Sequence, residues 1–157
     1  MMTIEILKKL KDYPSDGTFT DQPISLSEIE ELEQEYNNGA PFPKSLKELL
    51  YLAGKFCNVL DYGMNKSQKE LQIDARSDLP DYDREINRHF YVVDVYNAGE
   101  QFLFVYLDEN QNDPMLYEVY LPQNQYEVRP WVHSLNRTLS EFIDYRLDLL
   151  KQGYNPF

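Results

Sequence analysis

An α+β fold is what two changes of rhythm predict for this chain of 157 residues. Apolar residues recur every three or four positions up to residue 56, every second position from Phe90 to Leu121, and at helical spacing again from Leu139. Helices on either side of a hairpin-linked run of strands make a single domain over residues 1–157. It has a mostly antiparallel sheet, with N-terminal helices and a C-terminal helix packed on one face. A chain of this length buries roughly two-thirds of the surface it exposes when unfolded, so one core is expected.

Residues 3–12 place Ile4, Leu7 and Leu10 at helical spacing, with Pro14 behind them as a stop. The stretch SDGTFTDQP, residues 15–23, reads as a loop. In ISLSEIEELEQEYNNG, Ser25 can cap a helix with Glu28 at its third position, and Ile24 can pack on Ile29 as a staple. Ile29, Leu32 and Tyr36 mark the inner face, the glutamates a solvated outer one, and Asn37-Asn38-Gly39 the end. PFPKSLKELLYLAGKF, residues 41–56, is a basic island in an acidic chain. Leu46, Leu49, Leu50 and Ala53 predict a core-packing helix there, with Ser45 and Glu48 as a second capping box and Gly54 at its end.

Between residues 57 and 88 only LQIDA, 71–75, suggests an element, a short strand. HFYVVDVY, QFLFVYLD and MLYEVYL then alternate as strands. Asn97-Ala98-Gly99 suits a three-residue hairpin loop, which pairs Tyr96 with Glu100, Asp94 with Phe102 and Val93 with Leu103. Tyr91, Val93, Val95, Leu103, Val105 and Leu107 then share an aliphatic face. Phe90, Val92, Asp94, Tyr96, Glu100, Phe102, Phe104 and Tyr106 share the opposite one, joined by Glu118 and Tyr120 if Tyr117, Val119 and Leu121 point inward. Thr138 and Glu141 form a third capping box, opening a helix with Leu139, Phe142, Ile143, Leu147 and Leu150 inward and Gly153 at its end.

The formal charge of −12, from 15 basic and 27 acidic residues, repels nucleic-acid phosphates and anionic lipid and favours a basic protein partner. Cys57 is the only cysteine, which excludes an internal disulfide and a multi-cysteine zinc site. The N-terminus lacks the apolar core of a signal peptide, and no run approaches the about 18 apolar residues of a membrane span, so the chain reads as cytoplasmic.

Chemistry is sparse. His89 and His133 have no ligand or catalytic partner at motif spacing, and no elbow glycines surround Ser134. DENQND, residues 108–113, has calcium-loop oxygens at Asp108, Asn110 and Asn112, but Asp113 stands where the loop needs glycine and Val119 where it needs glutamate. No cofactor or metal is expected. The aromatic and acidic sheet face remains, with two readings: residues 57–88 or the tail GYNPF cover it as a second core, or it binds a protein. In the second reading Asp94, Tyr96, Glu100, Phe104, Tyr106, Glu118 and Tyr120 contact the partner, with Asp108, Glu109 and Asp113 as steering charges.

Ile29 and Leu32, then Phe42-Pro43 ahead of Leu46, Leu49 and Leu50, then Ala53-Gly54, and finally Leu139 with Phe142-Ile143 follow one another in a familiar order. Over residues 24–150 the chain resembles the SUKH superfamily, the Smi/Knr-type proteins that include a fungal regulator of cell-wall synthesis and many bacterial immunity proteins. Phe42 stands where that pattern has leucine, and Ala53 where it often has asparagine. The resemblance implies an α+β domain without catalytic activity that neutralises a toxin encoded beside it, often a nuclease. A regulatory or scaffold module of the fungal type is the alternative, and an enzyme built on two carboxylates the remote one.

Overall fold

The structure, a computed structural model, describes residues 1–122 and 130–157. Helices α1 (Lys8–Asp12), α2 (Leu26–Asn37), α3 (Lys44–Ala53) and α4 (Gln68–Ser77) lead into one antiparallel sheet. Its strands β1 (Phe90–Tyr96), β2 (Gln101–Tyr106), β3 (Met115–Tyr120) and β4 (Val132–Thr138) are neighbours in that order, and α5 (Leu139–Lys151) follows. The α+β expectation holds, with α1, α2, α3 and α5 on the aliphatic face of the sheet. Helix α4 lies on the other face, where Leu71, Ala75 and Leu79 meet Phe90, Phe102, Phe104 and Val119. Among the described residues no helix is long and apolar enough to cross a membrane.

Local signals in α2 act as read. The Ser25 hydroxyl accepts from the Glu28 N–H, the Glu28 carboxylate accepts from the Ser25 N–H, and Asn38 ends the helix in the left-handed region. One glutamate departs from the solvated outer face: Glu33 is buried and accepts the Phe42 N–H, with the Lys47 ammonium 3.5 Å away. In α3 the expected inner face, Leu46, Leu49, Leu50 and Ala53, is fully buried.

The second capping box does not form. The N-cap of α3 is Pro43, and the Ser45 N–H donates to the Asn112 carbonyl at 2.8 Å. Glu48, fully buried, instead accepts the N–H groups of Glu5 (2.6 Å), Ile6 (2.9 Å) and Leu7 (2.8 Å). The expected helix over 3–12 therefore shrinks to Lys8–Asp12, because the three amides before it are held by a carboxylate from α3. A fixed anion at the start of a helix satisfies orphan donors and favours the helix dipole.

LQIDA is not a strand but the middle of α4, capped by Ser67, whose hydroxyl accepts the Glu70 N–H. One stripe of α4, Leu71 and Ala75, enters the second core, while Gln68, Gln72 and Arg76 face the outer edge of β1. The Gln72 amide donates to the Val92 carbonyl at 2.7 Å and accepts the Val92 N–H at 2.9 Å, a side chain standing in for a neighbouring strand. Arg76 donates to the Phe90 carbonyl, and Gln68 bridges the Tyr91 hydroxyl and the Gly54 carbonyl.

The expected register holds only at the start of β1. Phe90 pairs with Tyr106 and Val92 with Phe104, but a bulge at Val93 then pairs Asp94 with Leu103, Val95 with Phe102 and Tyr96 with Gln101. The loop is four residues long, with Asn97, Ala98 and Gly99 all at positive φ, so Tyr96 does not face Glu100. One extra residue turns Asp94 and Tyr96 to the aliphatic side and Val95 to the aromatic side. Strand β3 is also reversed relative to expectation: Leu116 pairs with Val105 on the aliphatic side, so Tyr117 and Val119 join the aromatic core. Strand β4 escaped sequence reading because VHSLNRT does not alternate, being bulged around Asn136 at φ 56°.

Glu48→Gln keeps the volume but aims an amide donor at backbone donors, and Gln72→Leu leaves the Val92 backbone groups buried without a partner. Each is expected to cost about 1–3 kcal/mol, measured as a lowered urea midpoint, with amide-exchange protection falling at Ile6 and Leu7 in the first variant and at Val92 in the second.

Candidate functional site

The bulge divides the ten residues proposed for binding. Phe104 is fully buried in the second core, so it is not a contact residue: residues from 57–88 cover the aromatic face, as the first of the two readings has it. Tyr106 stays half-buried there, edge-on to Tyr117 at 4.9 Å, with the Arg88 guanidinium 3.7 Å from its ring centre. Asp108 is exposed and pairs with Arg88, whose hydrogen bonds hold its carboxyl below the usual range. Glu109 is half-buried at the same loop. Asp113 serves α5, accepting the Ser140 N–H at 3.0 Å and the Ser140 hydroxyl at 2.6 Å. Glu100 is exposed at the β1–β2 turn and accepts from the Tyr82 hydroxyl.

The other four come together on the side that sequence reasoning did not choose. Asp94, Leu103, Glu118 and His133 form one row across the four strands, and Tyr96, Gln101 and Tyr120 form the next. Successive strands keep paired residues on one face, so these side chains share a surface. The Glu118 carboxylate accepts from the Tyr96 hydroxyl with one oxygen, and its other oxygen lies 3.2 Å from His133 Nε2. Burial first, and then the hydrogen bond to Glu118, push the Tyr96 phenol well above its ordinary range, which keeps it a donor. Glu118 and His133 remain partly open, at 16% and 20% side-chain exposure.

At the inner end of the row Asp94 is sealed, at 0% exposure. It accepts the Asp61 N–H and pairs with Arg146 of α5 at 3.0 Å, while Arg146 also donates to the Val59 carbonyl at 2.9 Å. Burial pushes the Asp94 carboxyl up to about 6, although Arg146 and the Asp61 N–H pull the other way. The Phe157 ring lies 5.3 Å from the Arg146 guanidinium, so the tail sits by α5 and not over the aromatic face. Asp94 is therefore a supporting group, and charge reversal there would break the fold before it tested binding.

Comparison with family models, with curated proteins and with solved structures finds no match to this chain. The residues of the row must carry the functional argument themselves. Held from two sides at a half-open surface, Glu118 is a ready acceptor for a guanidinium or ammonium group, which bonds a carboxylate more strongly than a neutral donor does. Cys57 offers no nucleophile, since burial pushes its thiol up to about 12. Among the described residues no group of three or more His, Cys, Asp or Glu side chains could hold a metal ion.

His133 and Arg146 were missed as members of this site. His133 meets Glu118 only through the β3–β4 pairing, and Arg146 meets Asp94 only because α5 folds back over the sheet. Linear spacing carries no trace of either contact.

Asp94 binds its proton more tightly folded than unfolded, so its contribution to stability is full below about pH 4 and is lost as pH rises through about 6. Asp94→Asn removes that loss. Urea titrations should show the variant's deficit against wild type shrinking by up to about 3 kcal/mol between pH 4 and pH 7, where a constant deficit would contradict the buried, proton-retaining carboxyl.

Proposed function

We propose that this chain is a non-enzymatic, cytoplasmic protein-binding domain of the immunity type, one that neutralises a basic toxin by occluding it. The observation that supports this most directly is the half-open Glu118 carboxylate, held between the Tyr96 hydroxyl and His133, with half-buried Tyr120 one row away. Tyrosines around a fixed carboxylate combine apolar contact area with a site for one basic side chain, the usual make-up of an interface anchor. A net charge of −12 adds long-range attraction toward a basic surface, and a nuclease domain fits because a phosphate-binding cleft is basic. The order of SUKH-like motifs points to the same class.

The contact set is accordingly Tyr96, Glu118, Tyr120 and His133. Glu100 and Asp108 supply field, since they are exposed on a turn and a loop, and half-buried Glu109 lies beside Asp108. Phe104 and Asp94 act through packing and positioning.

A tagged copy recovered from its native cells should bring down one basic protein, and stopped-flow association with that protein should slow steeply as salt is added. Glu118→Gln should lower the low-salt association rate several-fold and flatten its salt dependence, while Asp108→Asn should change it less. An unchanged rate in Glu118→Gln would reject this surface, and a partner without a basic face would reject the immunity reading.

A further inference from the structure

The stretch between α1 and α2 closes on itself before it meets the rest of the chain. Ser15 and Thr20 pair as an isolated bridge, and Asp16 Oδ1 accepts the N–H groups of Thr18 and Phe19, each at 2.7 Å. Residues 15–20 are all exposed, while Asp21 behind them is only 8% exposed. Phe56 and Asn58 fasten this turn to the body. The Phe19 ring lies 5.9 Å from that of Phe56. Asn58 donates its N–H to Asp21 Oδ1 at 2.8 Å, and its side-chain amide donates to the same oxygen and to the Phe19 carbonyl, both at 3.0 Å. Gln22 then pairs with Phe56 through the backbone, which marks where the turn ends.

Asp21 is a buried carboxyl without a counter-ion. Among the described residues no basic side chain pairs with it, whereas buried Asp94 has Arg146 and buried Glu33 has Lys47. Its Oδ2 is buried with no hydrogen-bond partner among the described residues. The titratable groups that face it are Asp16 of its own turn and, from the body, Cys57 and Tyr62, both buried and neutral. A carboxyl kept from water with no cation beside it favours its neutral form. Burial accordingly pushes Asp21 up to about 6, against the pull of the Asn58 hydrogen bonds. Cys57, next to Asn58 in the chain, is 3% exposed, and its thiol is pushed up by burial first and then by the nearby Asp21 charge.

We propose that residues 15–21 form a proton-operated flap beside Cys57, latched to Asn58 while Asp21 carries a proton and loosened when Asp21 ionises. Ionised Asp21 gains by returning to water. The turn keeps its own hydrogen bonds as it lifts, and the contacts that must part are those to Phe56 and Asn58. Opening of this kind is local and leaves the core folded. Asp21 holds its proton more tightly when latched than when free, so the latch is full below about pH 4 and is lost as pH rises through about 6. The flap shares no residue with the Glu118 row, so it works whether or not that row binds a toxin.

Cys57 is the only cysteine, so its thiol reports the opening in the full chain. The reagent is dithiodipyridine, which joins the thiol in a mixed disulfide and releases thiopyridone. Rates are read from about pH 4 to about pH 7 and divided by the rate of the urea-unfolded chain at each pH, which removes the thiolate fraction. The normalised rate should climb on the order of tenfold to a hundredfold over that range. It should not change in urea well below the unfolding midpoint, the mark of a local opening. Asp21→Asn cannot ionise and should give a slow, flat profile, while Asp94→Asn, outside the flap, should keep the climb. Melting curves confirm that the variants are folded. A flat wild-type profile, a climb that persists in folded Asp21→Asn, or a rate that grows in low urea would each overturn the proposal. If Asp21→Asn does not fold, the wild-type profile and its urea dependence decide alone.

Discussion

Val92 sits fully buried at the edge of the described sheet, with its outward N–H and carbonyl pointing away from β2. Buried backbone groups need partners, and an open edge invites pairing with other chains. The Gln72 amide answers both needs, and Arg76, one helical turn on, extends the seal to the Phe90 carbonyl. That stripe places α4, and the neighbouring stripe of α4 then lies over the aromatic face. The sheet can afterwards be apolar on both sides, which is why Phe102 and Phe104 are core and not contact surface.

Once α4 occupies one face, the remaining polar surface is determined by the bulge at Val93. The extra residue sends Asp94 and Tyr96 across to the α5 side, where one finds Arg146 and the other Glu118. An unbulged strand would have left a carboxylate in the aromatic core. The bulge thus serves stability and the site together: it pairs the buried charge and brings Tyr96 of β1 to the Glu118–His133 pair of β3 and β4.

Several carboxylates of this acidic chain work inside it. Glu48 holds the amides before α1, Glu33 holds Phe42, Asp113 holds the start of α5 and Asp94 holds the Asp61 turn. Asp21, buried and pushed up to about 6 chiefly by loss of solvent, holds the Asn58 N–H at 2.8 Å. Net charge counts these groups with the surface ones, so it overstates the field available to steer a partner. The carboxylates that remain outside are grouped, most clearly along α2.

What the sequence determined by itself was local: the cap at Ser25, the buried face of α3, the start of α5 at Thr138, and the places of three strands. These depend on residues within a few positions of one another, where 3.6-residue and two-residue periods act directly. The tertiary structure alone decided α4, β4, the role of Glu48 and the side of the sheet on which Asp94, Tyr96 and Glu118 meet. A helix stripe that pairs with a strand edge looks solvated in sequence, a bulge is a count of one in a pairing register, and a buried carboxylate is tolerated only where a distant segment supplies its donors. Each of those conditions is set between segments far apart in the chain, and none leaves a mark on the spacing within either.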